Sequence, residues 1–263
     1  MPYRTTLFGS KRISALRDRF PKQVAFLQAR FSPKGYLGLQ LTIGALVLIS
    51  ATWFFVSLSE DLREGAPLTL VDVQFSNWLH AHASRKLTIF MLAITRLHSP
   101  GCISAMTLAL ALYLLWRRHP YWLLALLLSV FGGMLLNVLL KNIFHRARPR
   151  FDNQILTLTS YGFPSGHTMA ATCFYGSLAA LAVWKLKAWR WRLAAVAIAG
   201  LLIMLVGFSR IYLGAHYLSD VLGAMGEGLA WLALCLTAVN TMWRRRHREI
   251  FEGSRERVKS AAD

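Results

Sequence analysis

YWLLALLLSVFGGMLLNVLLKNIFHRARPR, residues 121–150, decides how this chain is read. No charge interrupts it from Tyr121 to Leu140, and then Lys141, Arg146, Arg148 and Arg150 follow in quick succession. An uncharged apolar run of this length is enough for a helix to cross the hydrocarbon core of a bilayer. Cations packed just beyond such a run are either topology signals or a site for an anion.

The rest of the chain has the same texture. Of 263 residues, 55% are hydrophobic and 16% charged, with a mean hydropathy of +0.41. That composition argues against a soluble domain. The net charge of +18 raises nucleic acid as a partner. However, the basic residues lie in blocks between apolar runs, not in one stripe interleaved with aromatics, so the partner expected is a membrane and no nucleic acid. Cys102, Cys173 and Cys235 are isolated within or beside apolar segments, which fits packing and neither a zinc site nor a disulfide framework.

Working outward from 121–150, the pattern predicts an all-α, polytopic membrane helix bundle of about six spans. The first runs from Leu37 to Leu58, and residues 59–86 read as a polar connection. The second, within Leu87 to Trp116, is broken near Pro100 into a short helix to about Leu97 and a span from Ile103. Tyr121–Phe144 is the third span, Ser165 or Gly166 to Trp184 the fourth, Leu193–Phe208 the fifth and about Tyr217–Trp243 the sixth. Residues 1–36 form a basic N-terminal tail with no cleavable signal, either a plain cytoplasmic tail or a surface-lying amphipathic helix. Residues 37–243 form the membrane domain and 244–263 a basic C-terminal tail.

Counting Lys and Arg orients the bundle. The N-terminal tail has eight, the second and fourth loops two and four, and the C-terminal tail seven, against nine on the opposite side. Both termini are therefore expected in the cytoplasm. Arg146, Arg148 and Arg150 then lie on the outer side, against the charge bias, which marks them as candidates for something other than topology.

Three clusters fall on that side. His216 and Asp220 are four apart and share a helix face. A carboxylate on one imidazole nitrogen leaves the other unprotonated and nucleophilic. The competing reading is a helix start in which Ser219 and Asp220 cap backbone groups. Arg210 lies six residues before His216, and Arg148 seven after Lys141. Arginine forks and a mobile lysine suit phosphate oxygens, while Lys141 also fits a snorkelling span end. Arg146 and Arg150 read as lipid-headgroup contacts. Pro164-Ser165-Gly166-His167 opens a helix whose free N–H groups attract anions, with Ser165 either an anion donor or an ordinary cap and His167 placed to protonate a leaving oxygen. His80, His82, His98, His119, His145 and His247 have no comparable company and read as structural or surface residues.

Lys141-(six residues)-Arg148-Pro149, Pro164-Ser165-Gly166-His167 and Ser209-Arg210-(five residues)-His216-(three residues)-Asp220 together resemble the three-part signature of the type 2 phosphatidic acid phosphatase superfamily. Order and internal spacings fit, and no signature position is substituted. The resemblance implies a lipid phosphatase in which His216 attacks and becomes a phosphohistidine. Asp220 orients it, His167 is the general acid, and Lys141, Arg148, Arg210, Ser165 and the Gly166 backbone cradle the phosphate. It implies no metal and no cofactor. The substrate expected is a lipid phosphate or pyrophosphate, with undecaprenyl pyrophosphate favoured by an outward-facing site. Phosphatidylglycerophosphate, phosphatidic acid, lipid A phosphate removal and phosphate transfer onto lipid A are the alternatives. The location expected is a bacterial inner membrane with the site on the periplasmic or extracellular face. Vanadium haloperoxidases resemble the same signature, but they are soluble and the apolar spans argue against them. A lipid transporter or inactive scaffold would be expected to have lost a signature residue. No motif speaks to oligomeric state.

Overall fold

The structure, a computed structural model, describes residues 20–22, 39–65, 67–152, 155–156 and 158–260. The expected N-terminal tail lies outside the described residues apart from 20–22. From Leu39 onward eight helices follow one another, with no strand among the described residues. They are α1 (Leu39–Glu64), α2 (Pro67–Ala81), α3 (Arg85–Leu97), α4 (Pro100–Trp116), α5 (Pro120–Phe144), α6 (Gly166–Lys185), α7 (Trp189–Tyr212) and α8 (Leu218–Ser260). The chain divides into two units, residues 47–240 and the termini 1–46 with 241–263. The candidate site lies in the first.

Local chemistry explains the breaks. Ser84 caps α3 by accepting from the Leu87 N–H, and Ser99 caps α4 by accepting from Cys102, with Pro100 at the first turn where its missing donor costs nothing. The α3–α4 pair bends there by 49°, as the sequence predicts near Pro100. Pro120 opens α5 in the same way, and His145, at φ 47°, closes it in the left-handed conformation. Within α5, Leu128–Gly132 winds as a π-helical turn that the sequence pattern did not announce.

Residues 59–86 are not the polar connection expected. α1 continues to Glu64 and α2 occupies Pro67–Ala81. The buried residues of α2 are Asp72, Ser76 and Leu79, one stripe at helical spacing that carries a carboxylate on its inward face. The α8 helix likewise runs past Trp243 into the basic tail without a break.

Helix α6 is the axis of the bundle. Thr168, Met169, Ala170, Ala171 and Cys173 are wholly buried, against Ile103, Leu114, Leu126, Val130 and Ala224 of the surrounding helices. Between lipid-facing helices apolar burial drives little, so close van der Waals packing matters, and small residues permit it. A Cβ on Gly207 would stand 2.6 Å from Val221, and one on Gly228 2.8 Å from Thr172. Bulky apolar side chains such as Trp53, Leu112, Trp116 and Leu201 point outward instead.

Among the described residues, four helices are long and apolar enough to cross a membrane: Leu41–Glu64, Pro120–Phe144, Trp189–Tyr212 and Leu218–Arg246. The bent α3–α4 pair makes a fifth candidate. Helix α6, expected as the fourth of six spans, does not meet that composition. Packed by protein along Thr168–Phe174 and exposed only from Val183 onward, it carries Thr168, Thr172 and Ser177 where a lipid-facing helix carries leucine.

Candidate active site

One end of the bundle gathers the last turns of α5 and α7, the first turns of α6 and α8, and the loop 145–165. Lys141 stands in the last turn of α5, and its Nζ donates to the Tyr161 carbonyl at 2.7 Å. Loop and helices are joined by backbone bonds: Gly162 N–H to the Arg146 carbonyl at 2.7 Å and Ser165 N–H to the Asp220 carbonyl at 3.0 Å.

Arg148 reaches across this loop. Its Nε donates to the Ser160 carbonyl (2.6 Å) and its Nη2 to Ser160 Oγ (2.9 Å) and the Tyr161 carbonyl (3.0 Å). Its Nη1 donates to the Ala215 carbonyl (2.6 Å) and lies 3.0 Å from His216 Nε2. A guanidinium has no lone pair to offer, so at that contact Nε2 is the acceptor and the ring proton belongs on Nδ1. His216 is 2% exposed, in the short turn between α7 and α8. Burial, followed by the charges of Arg148, Arg210 and Lys141, holds its pKa well below the ordinary imidazole value, with the Gly162 carbonyl opposing the shift. The ring is therefore neutral, with its free lone pair directed toward Arg148.

Asp220 lies behind the ring. Its Oδ2 is 3.4 Å from His216 Nδ1, an ion-pair distance without an aligned hydrogen bond. The same oxygen accepts from the Tyr217 N–H at 2.9 Å, and Oδ1 accepts from Arg146 Nη1 at 2.5 Å. The helix-start reading and the pairing reading are thus both present in one carboxylate.

Arg210, 2% exposed at the end of α7, donates from Nη1 to Thr95 Oγ1 at 2.5 Å, while its buried Nε has no partner among the described residues. Ser165 is the N-cap residue of α6, yet its hydroxyl caps no helix N–H and accepts instead from Thr168 Oγ1 at 3.0 Å. Gly166 opens α6 beside Asn137, whose Oδ1 would lie 3.2 Å from an added Cβ. His167, next along, is in electrostatic reach of Arg210, His216, Arg148 and Lys141 together. All eight residues singled out from the sequence therefore meet at one end of the bundle.

Arg146 departs from its expected role. It is no headgroup contact: Nη1 donates to Asp220 and to Ser219 Oγ (2.6 Å), Nη2 donates to Asp72 Oδ2 (2.7 Å), and the guanidinium lies over the Tyr217 ring. Asp72 and Thr95 come from α2 and α3, segments to which sequence reasoning assigned no site residue. The available signal was Asp72 itself, a lone acid on the stripe of Ser76 and Leu79. Asn137 and Glu227 form a further buried pair beneath Lys141 (2.9 Å). An open cavity of about 540 Å³ adjoins Arg148 and Ala215, lined by Arg150, Phe151, Leu156, Thr159 and Tyr161 among others. Among the described residues, no three His, Cys, Asp or Glu side chains are grouped to hold a metal ion.

The chain is similar to known proteins. Residues 122–244 match the PAP2 superfamily. Phosphatidylglycerophosphatase B of Bacillus subtilis is 42% identical over 106 residues, 40% of this chain and 52% of that protein. A lipid A 1-phosphatase of Rhizobium etli is 35% identical over 119 residues, 42% of this chain and 46% of that protein. The chain thus spans about half the length of these curated relatives. A crystal structure of a transmembrane PAP2 type phosphatidylglycerolphosphate phosphatase from Bacillus subtilis superposes with a TM-score of 0.66 at 30% identity, covering 72% of this chain and 93% of that one. Aquifex aeolicus LpxE, at 20% identity and a TM-score of 0.50 over 63% of this chain and 94% of that one, shares the fold. With the three motifs intact and assembled at one end of the same helical fold, the chain belongs to the PAP2 superfamily.

Proposed function

We propose that this chain is a membrane lipid phosphatase working through a phosphohistidine. The observation that carries the reading is the His216 Nε2 lone pair, on a neutral buried ring, 3.0 Å from Arg148 and surrounded by Lys141, Arg210 and His167. The Nε2 lone pair attacks phosphorus, the bond from phosphorus to the lipid oxygen breaks, and His167 gives that oxygen its proton. Water then attacks the phosphohistidine, returns a proton to His167 and releases inorganic phosphate. Charge building on the phosphoryl oxygens is met by Lys141, Arg148, Arg210, the Ser165 hydroxyl and the first N–H groups of α6. Asp220 stabilises the proton on Nδ1 as the ring becomes cationic.

For the substrate, the names of the relatives support the alternatives, phosphatidylglycerophosphate or a lipid A phosphate, better than undecaprenyl pyrophosphate. The open cavity beside Arg148 would admit the polar portion of such a headgroup. The Lys and Arg count supports an outward-facing site in a bacterial inner membrane, with both termini in the cytoplasm. Helix α6 begins at the same end where α5 and α7 finish and, at 20 residues, is about 30 Å long. It therefore runs through the bilayer shielded by its neighbours, and the span count becomes six.

The test is phosphate release by detergent-purified protein offered phosphatidylglycerophosphate, phosphatidic acid, lipid A and undecaprenyl pyrophosphate side by side. Turnover of at least one, abolished in His216→Ala and unchanged by EDTA, is the expected outcome. Normal turnover in His216→Ala would remove the assigned nucleophile. A cysteine in place of Asn153 should react with an impermeant reagent in intact cells, and labelling confined to broken cells would reverse the orientation.

A further inference from the structure

Behind His216, the signature residue Asp220 is joined to two charges that are not signature positions, Arg146 and Asp72. Arg146 is shared between two carboxylates, Asp220 Oδ1 at 2.5 Å and Asp72 Oδ2 at 2.7 Å. Ser219 closes the circuit: its N–H donates to Asp72 Oδ1 at 3.0 Å, its hydroxyl donates to Asp72 Oδ2, and its oxygen accepts from Arg146. Asp72, Ser219 and Asp220 are at most 1% exposed. Every carboxylate oxygen in the circuit has a partner, so the geometry is held from three elements, α2, the loop after α5, and α8.

The charge count is what matters. Arg146 and Asp220 alone would form a neutral pair, and a neutral pair offers little to a His216 ring that must become cationic on phosphorylation. Asp72 supplies a second negative charge. The three groups together keep one net negative charge, and the Asp220 oxygen that faces His216 is the one Arg146 does not touch. Arg146 can thus fix Asp220 in place without cancelling it.

We infer that Asp72 is a positioning residue for the nucleophile: through Arg146 and Ser219 it holds Asp220 against His216 and leaves Asp220 its charge. The inference rests on the proposed phosphohistidine reaction and adds to it a residue from a helix outside the three motifs. Asp72 touches neither His216 nor the phosphate site. Its effect belongs in kcat and not in KM.

The experiment uses the full chain in detergent and whichever of the four lipid phosphates the wild type hydrolyses. Asp72→Asn, which preserves shape and removes the charge, should lower kcat by about 10- to 100-fold with KM within about twofold. Asp72→Glu should recover most of that loss. In Asp72→Asn/Arg146→Met the offsetting cation is also gone, so Asp220 is again a net negative charge. The double variant should be faster than Asp72→Asn alone by about threefold or more. If Asp72→Asn does not purify as a monodisperse species, Arg146→Lys, which keeps the charge but gives up the bridge, carries the same readout with the same expected kcat loss. Wild-type kcat in Asp72→Asn, a loss confined to KM, or a double variant slower than the single would each overturn the inference while leaving His216 as nucleophile. A wild type that hydrolyses none of the four lipids, or an active His216→Ala, would instead overturn the reaction on which the inference rests.

Discussion

The two sides of His216 are built on different principles. On the phosphate side, Lys141, Arg148, Arg210, Ser165 and His167 all come from residues 141–210, each at the end of a helix or in the loop beside it. Arg148 and Lys141 hold onto loop carbonyls of Ser160 and Tyr161, bonds that a phosphate can replace. On the far side, Asp220 is held by Arg146, Asp72 and Ser219 in a buried circuit from distant parts of the chain. The first side is a set of exchangeable donors and the second a fixed support. The proposed reaction, which must bind, transfer and release an anion, needs both, because donors that exchange cannot also hold the nucleophile still.

The comparison orders the expected effects. Removing the group between the two sides should cost most: His216→Ala lowers phosphate release by about 10⁴-fold or more, read on purified protein with unchanged detergent elution. Removing one phosphate-side cation comes next. Arg210→Ala should cost about 10²- to 10³-fold, chiefly in kcat, since its positive charge stabilises the transition state more than the ground state. Thr95→Val tests whether that cation is supported as the nucleophile is. It deletes the acceptor of Arg210 Nη1 and should cost about tenfold. If Thr95→Val matched Arg210→Ala, the two sides would be equally rigid and the contrast would fail.

A pH profile sharpens the same contrast. In the proposed reaction His216 acts in its unprotonated form, and its pKa is depressed by burial and by Arg148, Arg210 and Lys141. Activity on its account is therefore full at neutral pH and is lost only as pH falls through the depressed value. Between about pH 8 and 6.5 kcat/KM should show no acid limb from this group. Arg148→Ala removes one depressing charge and should move the acid limb to higher pH, whereas a limb that stays put would take Arg148 out of His216's surroundings. The smallest effect is expected at Arg150, which has no part in the circuit. Arg150→Ala should stay within about twofold of wild type in kcat.

Much of this was legible in the chain. The helix ends at Ser99-Pro100 and Pro120 and the long apolar runs follow from local stereochemistry and apolarity, which act on neighbouring residues and can be read from them. The signature residues on both sides were legible for the same reason: Lys141 and Arg148, or His216 and Asp220, lie within seven positions of each other. Arg146 was misread because its partners are not local. Asp72 lies 74 positions before it and 147 before Ser219, and Thr95 lies 115 before Arg210. Helix α6 falls outside the hydropathy rule for a related reason, since a helix packed within protein is under no pressure to be apolar all round.

By itself, the sequence determined a helical membrane chain with the three PAP2 signature motifs, because span length, charge blocks and motif spacing are one-dimensional properties. Only the tertiary structure decided that Arg146 belongs to the support of Asp220 and not to the lipid surface, and that Asp72 and Thr95 take part at all. A buried ion must find its partner wherever the fold brings one, and in this bundle α2 and α3 bring them to the ends of α7 and α8.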